Sequence, residues 1–195
     1  MELGRPSVRL LHTSDLHLGD DINPDGRHTG LRAIVDTALA KKIDVVLIAG
    51  DFFDNARVKE EAIEHAITEL SRLTMPTVVI PGNHDCLGEN SIYARADLSK
   101  AGSHVHFVDS PDGNDLLFDD LQLRIWGKGI EDHHPGHKPL EGYRSTGNGY
   151  WQVVVTHGHF VPSDETSYRS SPIHEGEIAA LGCDYLALGH WHRFL

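Results

Sequence analysis

Short apolar runs of strand length alternate along this chain with stretches whose apolar residues return every three or four positions. Val8 to Thr13 reads as a first strand. From Thr29 to Lys42 the residues Leu31, Ile34, Val35, Ala38 and Leu39 fall at helical spacing, and Lys41 and Lys42 favour the end of a helix there. Asp44 to Ala49 predicts the next strand. Lys59 to Leu73 repeats the helical pattern through Ile63, Ala66, Ile67, Leu70 and Leu73, and Pro76 closes it before a strand at Thr77 to Ile80. This β-α-β-α-β order predicts a parallel sheet with right-handed crossovers.

The second half is predicted to be richer in strands. A short helix is expected from Ser91 to Lys100, with Ser91 as its cap. Val105 to Val108 reads as a strand, and Asp115 to Phe118 with Leu121 to Trp126, joined at Asp119-Asp120, as part of a meander or hairpin. Gly127 to Gly149 is polar and irregular, a stretch long enough to suggest a functional or mobile loop. A strand at Tyr150 to Thr156, a helix at Ile173 to Leu181 stopped by Gly182, and a strand at Asp184 to Leu188 complete the pattern.

The polar residues that interrupt this pattern are not scattered. Five clusters stand out: Asp15 with His17, Gly50-Asp51-Phe52-Phe53-Asp54, Gly82-Asn83-His84-Asp85, His157-Gly158-His159, and Gly189-His190-Trp191-His192. Each follows a predicted strand, and ligands bind beyond the carboxyl ends of strands in open α/β sheets. Asp-x-His alone is a common polar turn, and Gly-Asp a common bend; it is the joint placement of five such groups that points to metal-assisted hydrolysis. In an extended strand end, alternation would put Asp15 and His17 on one face. Asp51 is placed where one carboxylate can span two cations about 3.5 to 4 Å apart. Asn83 offers an amide oxygen from a tight turn, with His84 beside it directed at substrate, and His157, His190 and His192 offer imidazole nitrogens. His159 is expected either to line the cleft or to serve structure, and His133, His134 and His137 to be exposed or rim residues.

Length and charge narrow the reading. At 195 residues the chain is expected to form one domain, residues 1–195. The formal charge of −12, from 29 acidic and 17 basic residues, argues against broad attraction to nucleic acid or anionic membrane. Bound dications would still admit a phosphoester at the point of chemistry. Two cysteines, Cys86 and Cys183, make no disulfide framework, and neither a signal peptide nor a membrane span is evident. A cytoplasmic protein without membrane contact is expected.

The ordered set Asp-x-His, Gly-Asp-x-x-Asp, Gly-Asn-His-Asp, His-x-His and Gly-His-x-His resembles the calcineurin-like metallophosphoesterases over nearly the whole chain. The flanks Leu11 to Gly19 and Gly50 to Asp54 look most like the SbcD-type DNA repair exonucleases. The resemblance implies an α/β fold: a two-sheet sandwich flanked by helices. It assigns a first metal to Asp15, His17, Asp51 and His192, and a second to Asp51, Asn83, His157 and His190. His84 falls on the catalytic histidine, Asp54 on the acid that orients it, and Asp85 is expected to brace the turn. The two divalent ions implied are manganese, with iron or zinc compatible with the same donors, and the nucleophile implied is a metal-held hydroxide. His84 then protonates the leaving alkoxide or stabilises the transition state as a cation.

The chain departs from the family where it stops, three residues after His192. The second sheet is therefore expected to be incomplete at its C-terminal edge. Within these 195 residues neither the capping domain of SbcD-type nucleases nor the segment that docks an SbcC-like ATPase partner is expected, and a fragment of a longer protein is compatible with the pattern. The reading that follows is a phosphodiesterase, a DNA exonuclease of SbcD type. A phosphomonoesterase acting on protein or small molecules is the alternative. Against it, Asn55 and Asp85 stand where Ser/Thr phosphatases carry Arg and Glu. A non-catalytic scaffold of the same fold is the third reading, and retention of every ligand position weighs against it.

Overall fold

A computed structural model describes residues 5–20, 24–132, 134, 136–147, 149–166 and 169–191. The first half forms a sheet of four parallel strands in the order β1 (Leu10–Thr13), β2 (Val45–Ala49), β3 (Thr77–Ile80) and β4 (Val105–Phe107). Helices α1 (Pro24–Lys41) and α2 (Glu60–Leu70) connect the first three strands. The second sheet runs in the order β10 (Tyr185–Gly189), β7 (Trp151–His157), β6 (Leu123–Gly127), β5 (Asn114–Phe118). It is parallel except for the β5–β6 hairpin. Neither sheet closes, and β10 has a neighbour on one side only among the described residues.

Strand periodicity explains the layers. Val45, Leu47 and Ala49 of β2 and Val78 and Ile80 of β3 point one way and meet Leu123, Ile125, Val153, Val155 and Ala187 of the second sheet in a dry interlayer. The alternate residues Val46, Ile48 and Val79 point the other way, onto Leu31, Val35 and Ala38 of α1 and Ile63, Ala66 and Leu70 of α2. All five residues of β2 are buried, as expected of a parallel strand covered on both faces. Each of the larger aliphatic side chains taken out of water contributes about 1.5–3 kcal/mol. Behind the second sheet, Trp126 and Val154 pack on Leu140, Tyr143 and Ile173, with Ile178 of α3 (Glu175–Ala180) against them. Among the described residues no helix is long and apolar enough to cross a membrane.

Three expectations are corrected. The helix expected over Ser91 to Lys100 is two 3-10 turns, Ile92–Ala94 and Leu98–Ala101. Ser91 does cap the first, accepting from the Tyr93 N–H, but Asp97 accepts from the Ser99 N–H and starts a new turn, so a continuous helix is interrupted. The helix expected from Ile173 begins at Glu175, because Pro172–His174 is strand β9, parallel to β8 (His159–Val161), a pair the apolar pattern did not reveal. Glu177 accepts from the His174 N–H at 2.8 Å and fixes that later start. Asp15 and His17 do not lie on an extended strand end: β1 stops at Thr13, and both residues take left-handed backbone, with φ of 56° and 46°.

Candidate metal centre

The carboxyl ends of β1, β2, β3, β7 and β10 meet at one edge of the sandwich, and the loops that leave them are tied together by main-chain hydrogen bonds. The N–H groups of Asp15, His17 and Leu18 donate to the carbonyls of Gly50, Asp51 and Phe52 at 2.9–3.0 Å, so the first two loops run side by side. The His190 N–H donates to Asp15 Oδ2 at 3.0 Å, which ties in the loop after β10. The His157 Nδ1–H donates to the Ala49 carbonyl at 2.8 Å, joining the two sheets. Close approach makes glycine obligatory at two of these crossings. A Cβ on Gly82 would lie 2.1 Å from Asp51 Oδ1, and one on Gly189 would lie 1.9 Å from the Ala49 oxygen.

Asp51, 2% exposed with φ of 50°, sits at the middle. Its Oδ1 accepts the His84 N–H at 2.9 Å. Its Oδ2 stands 3.3 Å from His157 Nε2 and 3.9 Å from His17 Nε2. Two groups of donor atoms, each within 4.8 Å of one another, share this residue: Asp15, His17 and Asp51 on one side, Asp51, His157 and His190 on the other. Asn83 joins the second group, since its Oδ1 lies 3.0 Å from both His157 Nε2 and His190 Nδ1. Sequence reading placed seven residues at a metal site; six of them, Asp15, His17, Asp51, Asn83, His157 and His190, come together here. The seventh, His192, lies outside the described residues.

The donor chemistry fits a cation. With its Nδ1 proton given to Ala49, a neutral His157 turns the lone pair of Nε2 toward Asn83 Oδ1 and Asp51 Oδ2. Three electron-pair donors that meet in a buried space repel one another unless a proton or a metal ion lies between them. The titration of the group reports the same pressure. Burial disfavours charge on both Asp51 and His157, but the hydrogen bond and attraction between them win, so the Asp51 carboxyl falls to about 2 and the His157 imidazole is raised. His190 falls to about 4 through burial and the neighbouring His157, which keeps its ring neutral and its lone pair available. Burial also lowers His17, against the pull of Asp51.

The expected dyad of Asp54 with His84 is altered. His84 is exposed at the mouth of the site, and its Nδ1 lies 2.9 Å from the main-chain carbonyl of Asp54, not from the carboxylate. The carboxylate turns to His17 instead, with Oδ1 3.2 Å from Nδ1, an arrangement that leaves Nε2 of His17 as the ligand atom. The chain bends at Asp54, whose N–H donates to the Leu18 carbonyl at 3.0 Å while its own carbonyl meets His84 of the Gly82–Asp85 turn. The bracing role expected of Asp85 matches its contacts: at 1% exposure it accepts from the N–H groups of Phe52, Phe53 and Gly82 and from the Tyr93 hydroxyl. Tyr93 had no local signal, because its importance comes only from the fold of the 3-10 turn that carries it.

Two further features frame the mouth. The irregular stretch after β6 runs from a hydrogen bond between Leu87 N–H and the Ile130 carbonyl to one between Thr156 Oγ1 and the Pro139 carbonyl. It is pinned by the buried Lys128 ammonium, which donates to the carbonyls of Lys138 and Glu141 at 3.1 and 3.2 Å. His134 on this stretch is exposed, His137 is half-buried, and His133 lies outside the described residues. His159, 8% exposed, lies edge-on to His190 with ring centroids 5.9 Å apart.

Comparison with known proteins identifies the family. The family model of the calcineurin-like phosphoesterases matches residues 8–194. The chain belongs to that family. As a calcineurin-like phosphoesterase it is a hydrolytic enzyme dependent on divalent metal ions. It is similar to the SbcD protein of the nuclease SbcCD from Staphylococcus saprophyticus, 25% identical over 213 residues covering 95% of this chain and 57% of the relative. The SbcD protein of Escherichia coli K12 is 33% identical over 85 residues, 40% of this chain and 21% of the relative. The metallophosphoesterase YhaO of Bacillus subtilis, itself uncharacterised, is 23% identical over 205 residues, 95% of this chain and 49% of the relative. The phosphoesterase chain thus spans about half the length of the relatives it matches from end to end.

Proposed function

We propose that this calcineurin-like phosphoesterase is one domain, residues 1–195, that hydrolyses phosphodiesters, DNA among them, with two divalent cations in the manner of an SbcD-type exonuclease. The observation that carries the reading is the shared carboxylate of Asp51, which belongs to both donor groups. On this reading Asp15, His17 and Asp51, completed by His192, hold one cation. Asp51, Asn83, His157 and His190 hold the other, with manganese as the ion. Two such cations would lower the pKa of water and offset the charge that builds on the phosphoryl oxygens.

The remaining work falls to the protein. Asp54 gives its carbonyl to the His84 Nδ1–H, so Nε2 is the nitrogen turned to substrate and the one from which a proton passes to the leaving alkoxide. The His84 N–H, bonded to Asp51 Oδ1, keeps that ring in step with the shared carboxylate. Asp85 supports the turn from beneath. The names of the matched relatives support a nuclease over a monoesterase, and the full engagement of Asp85 in bracing leaves it no part in recognising a monoester dianion. A role in DNA repair, a cytoplasmic location and an SbcC-like ATPase partner belong to the same proposal.

The test is a manganese-dependent assay on single-stranded DNA, bis(p-nitrophenyl) phosphate and p-nitrophenyl phosphate. Cleavage of the two diesters is expected, abolished by chelator and lowered about 10²- to 10⁴-fold in His84→Ala. Turnover that survives excess chelator, or a clear preference for the monoester, overturns the proposal.

A further inference from the structure

A line of aromatic rings leads from the metal centre to solvent. His157 lies edge-on to His190, with centroids 5.3 Å apart at 86°, and His190 lies edge-on to His159. The indole of Trp191 then stacks on His159, with centroids 5.4 Å apart and planes within 17° of parallel. His159 is nearly buried and its Nδ1 has no hydrogen-bond partner among the described residues, so the stacked indole is the neighbour that meets this ring face to face. Trp191 itself is 43% exposed.

The other two tryptophans are committed elsewhere. Trp126 is buried in the outer core with Tyr143 edge-on to it. Trp151 lies beneath the Arg5 guanidinium at 3.7 Å and donates its Nε1–H to the Pro6 carbonyl. Trp191 alone combines a large flat ring, open area and a sequence position next to a metal-donor residue. Its place directly after His190 puts it in the loop that carries a metal-donor residue.

We infer that Trp191, backed by His159, is a stacking platform for one nucleobase of the substrate, so that the enzyme selects base-bearing, single-stranded phosphodiesters. This rests on the phosphodiesterase reading above. The charge balance explains why such a device is needed. With 29 acidic against 17 basic residues the chain has little general attraction for a polyanion, and the grip on a nucleic acid must come from the centre and from neutral contact with base faces. Stacking on an exposed aromatic ring supplies that contact without reading sequence.

The experiment compares a single-stranded oligodeoxynucleotide with the same strand carrying abasic tetrahydrofuran units, each titrated with manganese present. The wild type is expected to favour the base-bearing strand through KM. In Trp191→Ala the ratio of kcat/KM for the two strands is expected to fall about 5- to 150-fold, and Trp191→Phe to recover most of it. Quenching of indole emission by the base-bearing strand, measured in calcium, gives a second readout that does not depend on turnover. That quenching is expected to vanish in Trp191→Phe while anisotropy of a labelled strand still reports binding. If the alanine variant does not fold, the phenylalanine variant and the quenching carry the test. Equal kcat/KM for the two wild-type strands, an unchanged ratio in Trp191→Ala, or absence of quenching overturns the platform and leaves the phosphodiesterase standing. Absence of any diester cleavage with quenching intact overturns the phosphodiesterase reading instead.

Discussion

Replacing Asp85 by asparagine changes one atom in a buried place and should cost far more than its size suggests. The carboxylate receives four donors: Phe52 N–H at 2.9 Å, Phe53 N–H at 3.0 Å and Tyr93 O–H at 2.7 Å on Oδ2, and Gly82 N–H at 2.6 Å on Oδ1. Burial and then the nearby charge of Asp51 raise this carboxyl on balance, against the pull of the Tyr93, Phe53 and Gly82 donors toward the anion. An asparagine can keep its oxygen toward Phe52, Phe53 and Tyr93, but its NH₂ then confronts the Gly82 N–H. One charge-assisted hydrogen bond is lost, about 1.5–3 kcal/mol, and a buried donor pair is left facing itself, about 1–3 kcal/mol more. A net loss of about 3 kcal/mol lowers Tm by roughly 6–12 °C for a domain of this length. Because the lost bond anchors Gly82, the first residue of the Gly82-Asn83-His84 turn, cation affinity should fall with stability. Thermal unfolding in chelator and manganese titration of wild type and Asp85→Asn measure the two effects. A Tm within about 2 °C of wild type, with unchanged manganese affinity, refutes the bracing argument.

Gly82→Ala would drive a Cβ into the Asp51 carboxylate, and we expect the purified variant to bind fewer than the wild-type number of divalent ions by metal analysis, with diester hydrolysis lost. Asp54→Ala keeps the carbonyl that holds His84, so its kcat at saturating manganese should fall less than that of His84→Ala; equal losses with metal content unchanged would restore the carboxylate dyad. His137, lowered to about 4 by burial and by Lys128, is held neutral in the fold. The unfolded chain takes up its proton first as pH drops from about 6.5 to 4. Its contribution is therefore complete above that window and lost through it, and Tm of the wild type should fall more steeply there than Tm of His137→Gln.

Much of this was legible in the sequence because the physics was local. Continuous apolar runs such as Val45 to Ala49 identified strands covered on both faces, and the helical spacing from Ile63 to Leu70 identified the face of α2 that packs on them. The polar clusters could be placed together because a parallel sheet sends its loops to one edge. What escaped depended on distance in sequence. Strands β8 and β9 are three residues each and exist by pairing with one another across the loop between them. The partner of Asp54 could not be read, since its carbonyl meets His84 and its carboxylate meets His17, both from loops distant in sequence. Alternation along an extended strand gave the right partnership for Asp15 and His17 from the wrong backbone, because both residues turn left-handed beside the Asp51 loop.

That backbone has its own consequence. Asp15, His17, Asp51 and His190 all hold φ between 46° and 116°, a conformation that costs on the order of 1–3 kcal/mol at each non-glycine residue. The amide hydrogen bonds between the first two loops, and that of His190 N–H to Asp15, maintain it, so these four residues wait in position for an arriving ion. Cation binding should thus register as added resistance to heat, with slow exchange of the Asp15, His17 and Leu18 amides present beforehand.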